Sequence, residues 1–323
     1  VERLNMPGSK VKIKYGDGEV YKAEEDKIDY ERSAGIMLNN LKDLGVIDHL
    51  RDIDAIGNRV VAGSDIFDKV VKIDDDSLSQ IVELGDIAPI HNPVEAEYIE
   101  IIRRILPDTD QYAIFDSAFF KDVPEVNSIY GIPYELTQKF TIRRYGEHGI
   151  NHGFITQEAE KALGNDHAKL VTLHLGSGAS VAAEKDGKCY DTSMGFTPMN
   201  GLVMGTRSGD VDPALVPFFM KKMGASAEEV IDMFNKRSGL LGVSGVSSDM
   251  RDLEDSDDDR AKLALDMFVN RTVKYAASYI TELGGVDAIV FSGGIGEHDK
   301  WVREQVVKKL EIFGIKLDGD LNA

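Results

Sequence analysis

Alternating and amphipathic patterns near the start of the chain predict a hairpin and a helix. Hydrophobic and polar residues alternate over residues 11–15 and 19–23, and the Gly-Asp-Gly sequence at 16–18 between them is typical of a tight turn. Apolar side chains then recur with a helical period over residues 30–44. We therefore expect a β-hairpin followed by an amphipathic helix.

Strands and helices continue to alternate up to about residue 120. Asn92 and Pro93 predict a helix start, with Asn92 as the N-cap and Pro93 in the first turn, and Pro107 ends that helix. The other elements expected here are a buried strand at 55–61, a short helix at 77–84, and a strand at 112–115 that delivers Asp116 at its end.

The rest of the chain repeats the same alternation. Residues 179–184 and 188–192 flank Asp186-Gly187, which favours a hairpin with a type I′ turn. The other elements expected are strands at 169–175 and 287–291 and helices at 213–223, 227–236, 260–283 and 299–313. These patterns predict an α/β fold with mixed sheets in two lobes, residues 1–120 and 121–323.

Composition narrows the possible partners and location. The 323 residues include 37 Lys and Arg against 56 Asp and Glu, which gives a net charge of −19. A surface this acidic argues against nucleic acid and anionic membranes as partners. No apolar run is long enough to span a bilayer, and the single Cys189 fits a reducing compartment, so we expect a cytoplasmic protein.

Two glycine-rich turns are candidates for phosphate binding. Residues 174–180 (HLGSGAS) follow a predicted strand, and their backbone N–H groups could form an anion nest, although a tight turn is an equal alternative. The segment has neither a Walker lysine nor the helix that follows a Rossmann fingerprint. Residues 292–298 (SGGIGEH) form a second glycine turn, before a helix that would favour an anion at its N-terminus, although an ordinary connection between a strand and a helix is an equal alternative.

Two arginines are candidates for binding an anionic ligand. Arg207 lies in the long polar and glycine-rich segment 191–212, where its planar guanidinium would suit a carboxylate or phosphate, or would pair with Asp210 or Asp212. Arg59 interrupts an apolar strand, so it either forms a salt bridge or faces a ligand.

An aspartate and three histidines complete the candidate chemistry. Asp116 at a strand end is either a catalytic carboxylate or a helix N-cap. His148 lies between glycines and could reach a ligand. A metal pair with His152 would need a helix, which the glycines make doubtful. His91 precedes a helix and is either a ligand contact or a capping group.

Together these segments resemble the acetate and propionate kinase family, within the sugar kinase/Hsp70/actin superfamily. The segment DTSMGFTP…GLVMGTRSGD is highly specific for that family. The resemblance implies a two-lobed actin-like ATPase (ribonuclease H-like) fold, incomplete at both termini. The matching pieces are Arg59 with Val60 and Val61, and residues 88–93, 115–119, 144–149, 174–180, 191–212, 249–251 and 293–297.

The resemblance also implies an activity and residue roles. The family transfers the γ-phosphoryl group of ATP reversibly to a short carboxylate, giving an acyl phosphate and ADP, with Mg²⁺ bridging the phosphates. Asp116 matches the catalytic acid, and His148 and Arg207 match the groups that stabilise the transition state. The residues implied to bind the carboxylate are Arg59, Val61, Ile90, His91 and Pro198. Those implied to bind the nucleotide are His174, Leu175, Gly176, Ser177, Gly178, Asp249, Met250, Arg251, Gly294, Ile295, Gly296, Glu297 and His298.

The resemblance further implies a homodimer formed through the C-terminal lobe and a cleft between lobes in which the arginines converge.

The chain starts after the family's first phosphate loop and stops before its metal-associated Glu. We therefore expect a part of a longer protein, with the Mg²⁺ ligands outside these residues.

Several positions depart from the family pattern. Glu147 stands where the family has a Phe beside the substrate methyl group, and Ser177 replaces an Asn. The family usually has His where this chain has Asn58, Ala62 and Phe120. These departures leave two alternatives to an acetate-specific kinase: a kinase for propionate or butyrate, and a catalytically weakened nucleotide-binding paralogue.

Overall fold

A computed structural model describes residues 4–5, 7–16, 18–86, 88 and 91–322. Contacts divide the chain into two compact units, Val1–Phe115 and Asp116–Ala323. Within the described ranges, no helix is both long and apolar enough to cross a membrane.

The first unit begins with the predicted hairpin and helix. Strands β1 (Ser9–Tyr15) and β2 (Glu19–Glu25) pair in antiparallel register, which confirms the hairpin. Helix α1 (Tyr30–Asp43) follows, with Asp29 as its N-cap and Leu38 on its buried face. The remaining elements of this unit are β3 (Ala55–Val60), β4 (Val71–Lys72), α2 (Asp75–Glu83), α3 (Asn92–Ile105) and β5 (Asp110–Phe115).

Strand β3 forms as predicted, but the expectation that it is buried is wrong. Residues 55–59 alternate between exposed and half-buried side chains, Arg59 is exposed, and of this strand's residues Val60 alone is buried. The reason is its position: among the described residues the sheet order is β3-β5-β4, so β3 lies at an edge and pairs in parallel only with β5. Residues 55, 57 and 59 therefore lie on an exposed face, and Arg59 is not a buried charge.

Asn92 has a different role from the predicted N-cap. Helix α3 begins at Asn92 itself, and His91 is the N-cap residue. The Asn92 side chain is fully buried, and its Oδ1 accepts a hydrogen bond from the Ala62 N–H at 3.1 Å. Its Nδ2 donates to the carbonyls of Ala62 at 3.0 Å and Ile81 at 3.3 Å. The amide thus fixes the loop after β3 to the start of α3, because buried peptide groups need such partners.

The second unit is built on a mixed four-stranded sheet of order β8-β7-β6-β9. β6 pairs in antiparallel register with β7 and in parallel with β9, and β7 pairs in antiparallel register with β8. Asp186 and Gly187 both have positive φ, which confirms the type I′ hairpin. The strands are β6 (Lys169–Leu175), β7 (Ala179–Lys185), β8 (Lys188–Thr192) and β9 (Ala288–Ser292).

Helices flank this sheet and share its core. Leu173 and Val181 of the sheet pack with Phe268 and Val306 of the helices in one buried cluster. The α/β class with mixed sheets and flanking helices is confirmed. The helices of this unit are α4 (Glu125–Ser128), α5 (Tyr134–Lys139), α6 (Gly149–Leu163), α7 (Leu215–Met223), α8 (Ala227–Lys236), α9 (Gly239–Ser244), α10 (Met250–Glu254), α11 (Asp259–Glu282), α12 (Gly293–His298) and α13 (Lys300–Leu310).

The second glycine turn differs from the prediction. Residues 293–298 form the short helix α12, and α13 starts separately at Lys300 with Asp299 as its N-cap. Gly293 has φ +75°, and a Cβ there would lie 2.5 Å from the Leu175 carbonyl oxygen. A glycine is required at position 293 because the start of α12 lies so close to β6 that a side chain would not fit.

We predict that Asn92→Ala destabilises the protein, because it leaves the Ala62 peptide groups buried without partners. The free energy of unfolding should fall by about 3 kcal/mol. Asn39→Ala is the matched control, since Asn39 is exposed on α1, and it should change the value by less than about 0.5 kcal/mol. Urea unfolding monitored by circular dichroism measures both, and equal effects would contradict the role given to Asn92.

Candidate active site

Asp116 lies buried at the start of a 3₁₀ turn, Asp116–Phe120. Its Oδ2 accepts a hydrogen bond from the His148 N–H and its Oδ1 from the Ile150 N–H, both at 3.3 Å. These N–H groups belong to the N-terminal end of α6, where the helix dipole favours negative charge. Asp116 is not itself an N-cap residue, because it is the first residue of the 3₁₀ turn and His148 is the N-cap of α6. The two hydrogen bonds nevertheless hold its carboxylate in one orientation.

The doubt about a helix after His148 is wrong, because α6 runs over Gly149–Leu163. The glycines of α6 allow the helix to pack closely against residues 116–119. A Cβ on Gly149 would overlap the Asp116 carbonyl oxygen, and one on Gly153 would lie 3.1 Å from Cδ2 of Phe119. These glycines let the helix lie directly against the turn that carries Asp116.

His148 is held in an unusual conformation beside a second histidine. It precedes α6 with φ +64° and ψ +20°, a left-handed conformation that non-glycine residues adopt at some cost. Its ring stacks on that of His174, with centroids 4.1 Å apart. Nδ1 of His174 lies 2.8 Å from Oδ1 of Asn151, which also accepts from the Ser292 hydroxyl. Both rings are thus fixed near the end of β6.

The metal pair considered for His148 and His152 does not form. His152 is fully buried, and its ring nitrogens are hydrogen-bonded to the hydroxyls of Thr172 and Ser180 at 2.6 and 2.7 Å. Across the described part of the chain, no group of three or more His, Cys, Asp or Glu side chains is arranged to hold a metal ion.

Arg207 and His148 meet beside the glycine loop, residues 176–178. A Cβ on Gly178 would lie 3.3 Å from Nε2 of His148 and 3.7 Å from Nη1 of Arg207. Nη1 also donates to the Pro198 carbonyl at 3.3 Å. Both nitrogens therefore lie within 4 Å of the space that a side chain at position 178 would fill, and Gly178 leaves that space open.

The alternative in which Arg207 pairs with Asp210 or Asp212 is wrong. Asp210 instead accepts hydrogen bonds from Arg271 Nη1 at 3.2 Å and from the Tyr275 hydroxyl at 2.6 Å. Asp212 caps the Ala214 N–H at 2.8 Å. No ion pair within the described ranges involves Arg207, so its charge is available to a ligand.

The segments predicted to bind nucleotide gather at the end of β6. The glycine loop is a tight turn, with the Gly176 N–H donating to the Gly178 carbonyl at 3.0 Å, and the Ser177 carbonyl accepts from the Gly205 N–H at 3.0 Å. Gly205 packs against the Ser248 carbonyl, directly before α10. Helix α12 follows β9, which pairs with β6 in parallel, and it packs against Leu175.

Within these segments, some side chains cannot face a ligand. Leu175 and Met250 are buried in the core cluster, so only their backbone groups are available. Arg251 forms an exposed ion pair with Asp249 at 2.6 Å, and Asp249 caps α10.

The first unit holds the other residues predicted for the carboxylate. Val61 is buried with Ala62 and Ala88, and its N–H donates to Oε2 of Glu95 on α3 at 3.0 Å. Arg59 is exposed near the end of β3. His91 is the N-cap residue of α3, but its side chain makes no capping hydrogen bond. Ile90 lies outside the described residues. Pro198 belongs to the second unit, beside Arg207.

Sequence reasoning missed the polar side chains that lie behind His148. Thr172 and His174 alternate along β6. On β7, Ser180 is the register partner of His174, and Glu184 is the register partner of Leu170, two positions before Thr172. Strand periodicity could have indicated that these residues share one face. Glu147, the departure from the family pattern, is buried.

A sequence model of the acetokinase family matches residues 1–323. The chain belongs to this family. An acetate kinase of Lacticaseibacillus paracasei is 45% identical over the whole chain and 83% of its own length. An acetate kinase of Treponema denticola is 46% identical, also over the whole chain and 83% of its own length.

Solved structures of acetokinase relatives show the same fold. An acetate kinase of Porphyromonas gingivalis superposes with a TM-score of 0.90 at 40% identity, covering 99% of this chain and 82% of that one. A propionate kinase of Francisella tularensis gives 0.94 at 39% identity, covering 99% and 83%. The resemblance to this family is confirmed, and the α/β architecture is that of an actin-like ATPase.

We predict that Gly149→Ala disrupts the candidate site, because the added Cβ pushes α6 away from Asp116. Kinase activity should fall at least tenfold, since displacements of about 1 Å can cost far more. Gly35→Ala on α1 is the control: a Cβ there meets no atom within 4 Å. Steady-state kinetics on soluble, folded variants measures both changes, and full activity of Gly149→Ala would show that the close approach is dispensable.

Proposed function

We propose that this protein transfers the γ-phosphoryl group of ATP reversibly to acetate, giving acetyl phosphate and ADP. One observation supports it most directly. In a chain of the acetokinase family, His148 and Arg207 both lie within 4 Å of the open position beside Gly178, and Arg207 has no carboxylate partner within the described ranges. A kinase of this family needs that combination of donors near the transferred phosphoryl group.

The chemistry assigned to these side chains follows from the charge on the phosphoryl oxygens. Phosphoryl transfer is accelerated mainly by positioning and by donors that neutralise charge on the equatorial oxygens. Arg207 would supply a fixed positive charge, and His148 would supply a hydrogen bond from Nε2. We assign Asp116 as the catalytic acidic residue, kept in place by the N-terminus of α6.

The substrate and nucleotide roles are also part of the proposal. We assign Arg59 to the acetate carboxylate, which a guanidinium can bind with two parallel hydrogen bonds. From the family resemblance, we also assign Val61, Ile90, His91 and Pro198 to substrate binding. We assign the glycine loop, residues 249–251 and residues 294–298 to ATP and ADP, because they gather at the end of β6.

Mg²⁺, a homodimer and a cytoplasmic location complete the proposal. The described residues contain no cluster that could hold a metal by itself, so they do not fit a complete Mg²⁺ site and we assign no catalytic step to the ion. The single, buried Cys189 is compatible with a reducing compartment. The homodimer is proposed from the family resemblance.

The proposed activity is tested by acyl hydroxamate formation from ATP and acetate, propionate or butyrate with full-length protein. We predict turnover with acetate, and a fall in kcat of at least 10³-fold for Arg207→Ala, the scale of a lost charge donor in phosphoryl transfer. Arg237→Ala is the matched control, because Arg237 is an exposed arginine of the same unit. It should retain kcat.

Three results would contradict this account. Wild-type kcat in Arg207→Ala would exclude Arg207 from catalysis. Equal losses in both arginine variants, with reduced soluble protein, would indicate a structural role. No turnover with any acid despite binding of ADP would favour the weakened paralogue.

Propionate is the second candidate substrate. A propionate kinase is among the similar structures, and the buried Glu147 replaces a family Phe beside the substrate methyl group. A carboxylate near an anionic substrate is unfavourable.

We predict that Glu147→Phe lowers the KM for acetate, because it adds an apolar contact and removes a charge. Glu147→Gln separates the two causes, since it removes only the charge. Initial rates over a range of acetate and propionate concentrations measure both. An unchanged or higher KM in Glu147→Phe would mean that Glu147 does not face the substrate.

A further inference from the structure

A chain of buried polar side chains leads away from His148 into the sheet of the second unit. Nδ1 of His148 lies 2.9 Å from the Ser180 hydroxyl, which lies 2.7 Å from Nε2 of His152. Nδ1 of His152 lies 2.6 Å from the Thr172 hydroxyl, which is hydrogen-bonded to Oε1 of Glu184. We call these five residues the buried chain.

The interior end of the buried chain is closed to solvent. Ser180, His152, Thr172 and Glu184 are each completely buried. His148 is the one member that reaches the candidate site, where its Nε2 lies beside the glycine loop. Any proton exchange with solvent through this chain therefore passes through His148.

Hydrogen-bond stoichiometry allows the buried chain only two uniform directions. Each hydroxyl has one proton to donate, and each neutral imidazole has one N–H and one acceptor nitrogen. If Glu184 is ionised, it can only accept a hydrogen bond, so Thr172 donates to it. In turn, Nδ1 of His152 donates to Thr172, Ser180 donates to Nε2 of His152, and Nδ1 of His148 donates to Ser180. His148 then has its proton on Nδ1, and its Nε2 faces the site as a bare acceptor.

If Glu184 is protonated, the direction reverses. One proton enters from solvent at Nε2 of His148, and each proton of the chain moves one place toward Glu184. Glu184 then donates to Thr172, and His148 accepts at Nδ1 from the Ser180 hydroxyl. The neutral imidazole presents an N–H at Nε2 to the glycine loop, so the number of protons balances with one taken up.

Burial favours the protonated form of Glu184. Removal from water raises the pKa of the Glu184 carboxyl to about 8, while the hydrogen bond from Thr172 opposes that shift. Its Oε2 has no hydrogen-bond partner among the described residues, which makes a buried negative charge there costly.

The other titratable groups that face Glu184 are neutral near pH 7. On α6, Nδ1 of His152 lies 3.8 Å from Oε1, and burial, with a smaller contribution from His174, lowers the pKa of His152 to about 3. On β8, Cys189 is the register partner of Glu184, and burial raises the pKa of its thiol. Neither supplies a charge that would hold Glu184 ionised.

We propose that Glu184 is a positioning residue for His148. In its protonated form it holds His148, through the buried chain, with the proton on Nε2. This orientation gives the phosphoryl group a hydrogen-bond donor without adding a charge, and ionisation of Glu184 removes that donor. The effect on phosphoryl transfer rests on the proposed kinase activity. The control of the His148 tautomer by Glu184 does not.

The direct test is ¹⁵N NMR of histidine-labelled wild-type protein, with the His148 signals assigned from the spectrum of His148→Gln. We expect the Nε2–H tautomer of His148 at pH 7 and a change toward Nδ1–H as the pH passes about 8. This measurement needs no turnover, so it separates this proposal from the proposed function. An Nδ1–H tautomer at pH 7 would overturn the proposal.

Kinetics of matched variants test the consequence. Glu184→Leu removes the interior donor and should lower kcat about tenfold at pH 7, the scale of lost outer hydrogen-bond partners. In the wild-type protein, activity should fall above about pH 8, because Glu184 ionises there. Glu184→Gln can donate to Thr172 at every pH, so it should retain kcat and not show this fall. Wild-type kcat and an unchanged pH profile in Glu184→Leu would overturn the proposal.

A second pair of variants, at Thr172, controls for the possibility that the Glu184 variants fail to fold. Thr172→Val cuts the buried chain, whereas Thr172→Ser keeps its hydroxyl. We expect Thr172→Val to match Glu184→Leu in both the His148 tautomer and kcat, and Thr172→Ser to restore both. Equal tautomers in the valine and serine variants would show that the chain does not control His148.

Discussion

The candidate site depends on the contact between the start of α6 and the turn that carries Asp116. Gly149 permits it, because any Cβ there would overlap the Asp116 carbonyl oxygen. The contact places two N–H groups on the Asp116 carboxylate and leaves His148 in a left-handed conformation. One close approach thus orients both an acidic and an imidazole side chain.

The positive charge of Arg207 is available at the glycine loop although the protein as a whole is strongly acidic. The chain carries a net charge of −19, yet Arg207 has no carboxylate partner in the part that the structure describes. Asp210, a partner that the sequence suggested for Arg207, instead accepts hydrogen bonds from Arg271 and Tyr275. Exposed charges are screened over about 10 Å. The electrostatic potential at the glycine loop therefore depends more on which nearby carboxylates are already paired than on the net charge of the protein.

Local patterns predicted most of the elements, and long-range packing explains the failures. The hairpin at Asp186-Gly187 was predictable because two positive φ angles favour those residues. Asn92 was assigned as a cap, but Ala62 is thirty positions away in sequence and offers its amide better partners. The glycines of α6 suggested a loop, because their reason lies in Asp116 and Phe119, which no local pattern reveals.

The roles of site residues were predicted from family resemblance and not from geometry, and those roles remain predictions. The buried chain escaped both approaches, because Thr172 and Glu184 are ordinary strand residues until the register of β6 and β7 is known. Their alternation was visible in the sequence, but the partner strand and the adjacent His152 were not.

The most direct test of the central claim is the reaction in the direction of ATP synthesis. Full-length protein is incubated with acetyl phosphate and ADP, and ³¹P NMR follows both phosphorus compounds. The account predicts that ATP forms in step with the loss of acetyl phosphate. Release of inorganic phosphate without ATP would contradict it, because water and not ADP would then be the phosphoryl acceptor.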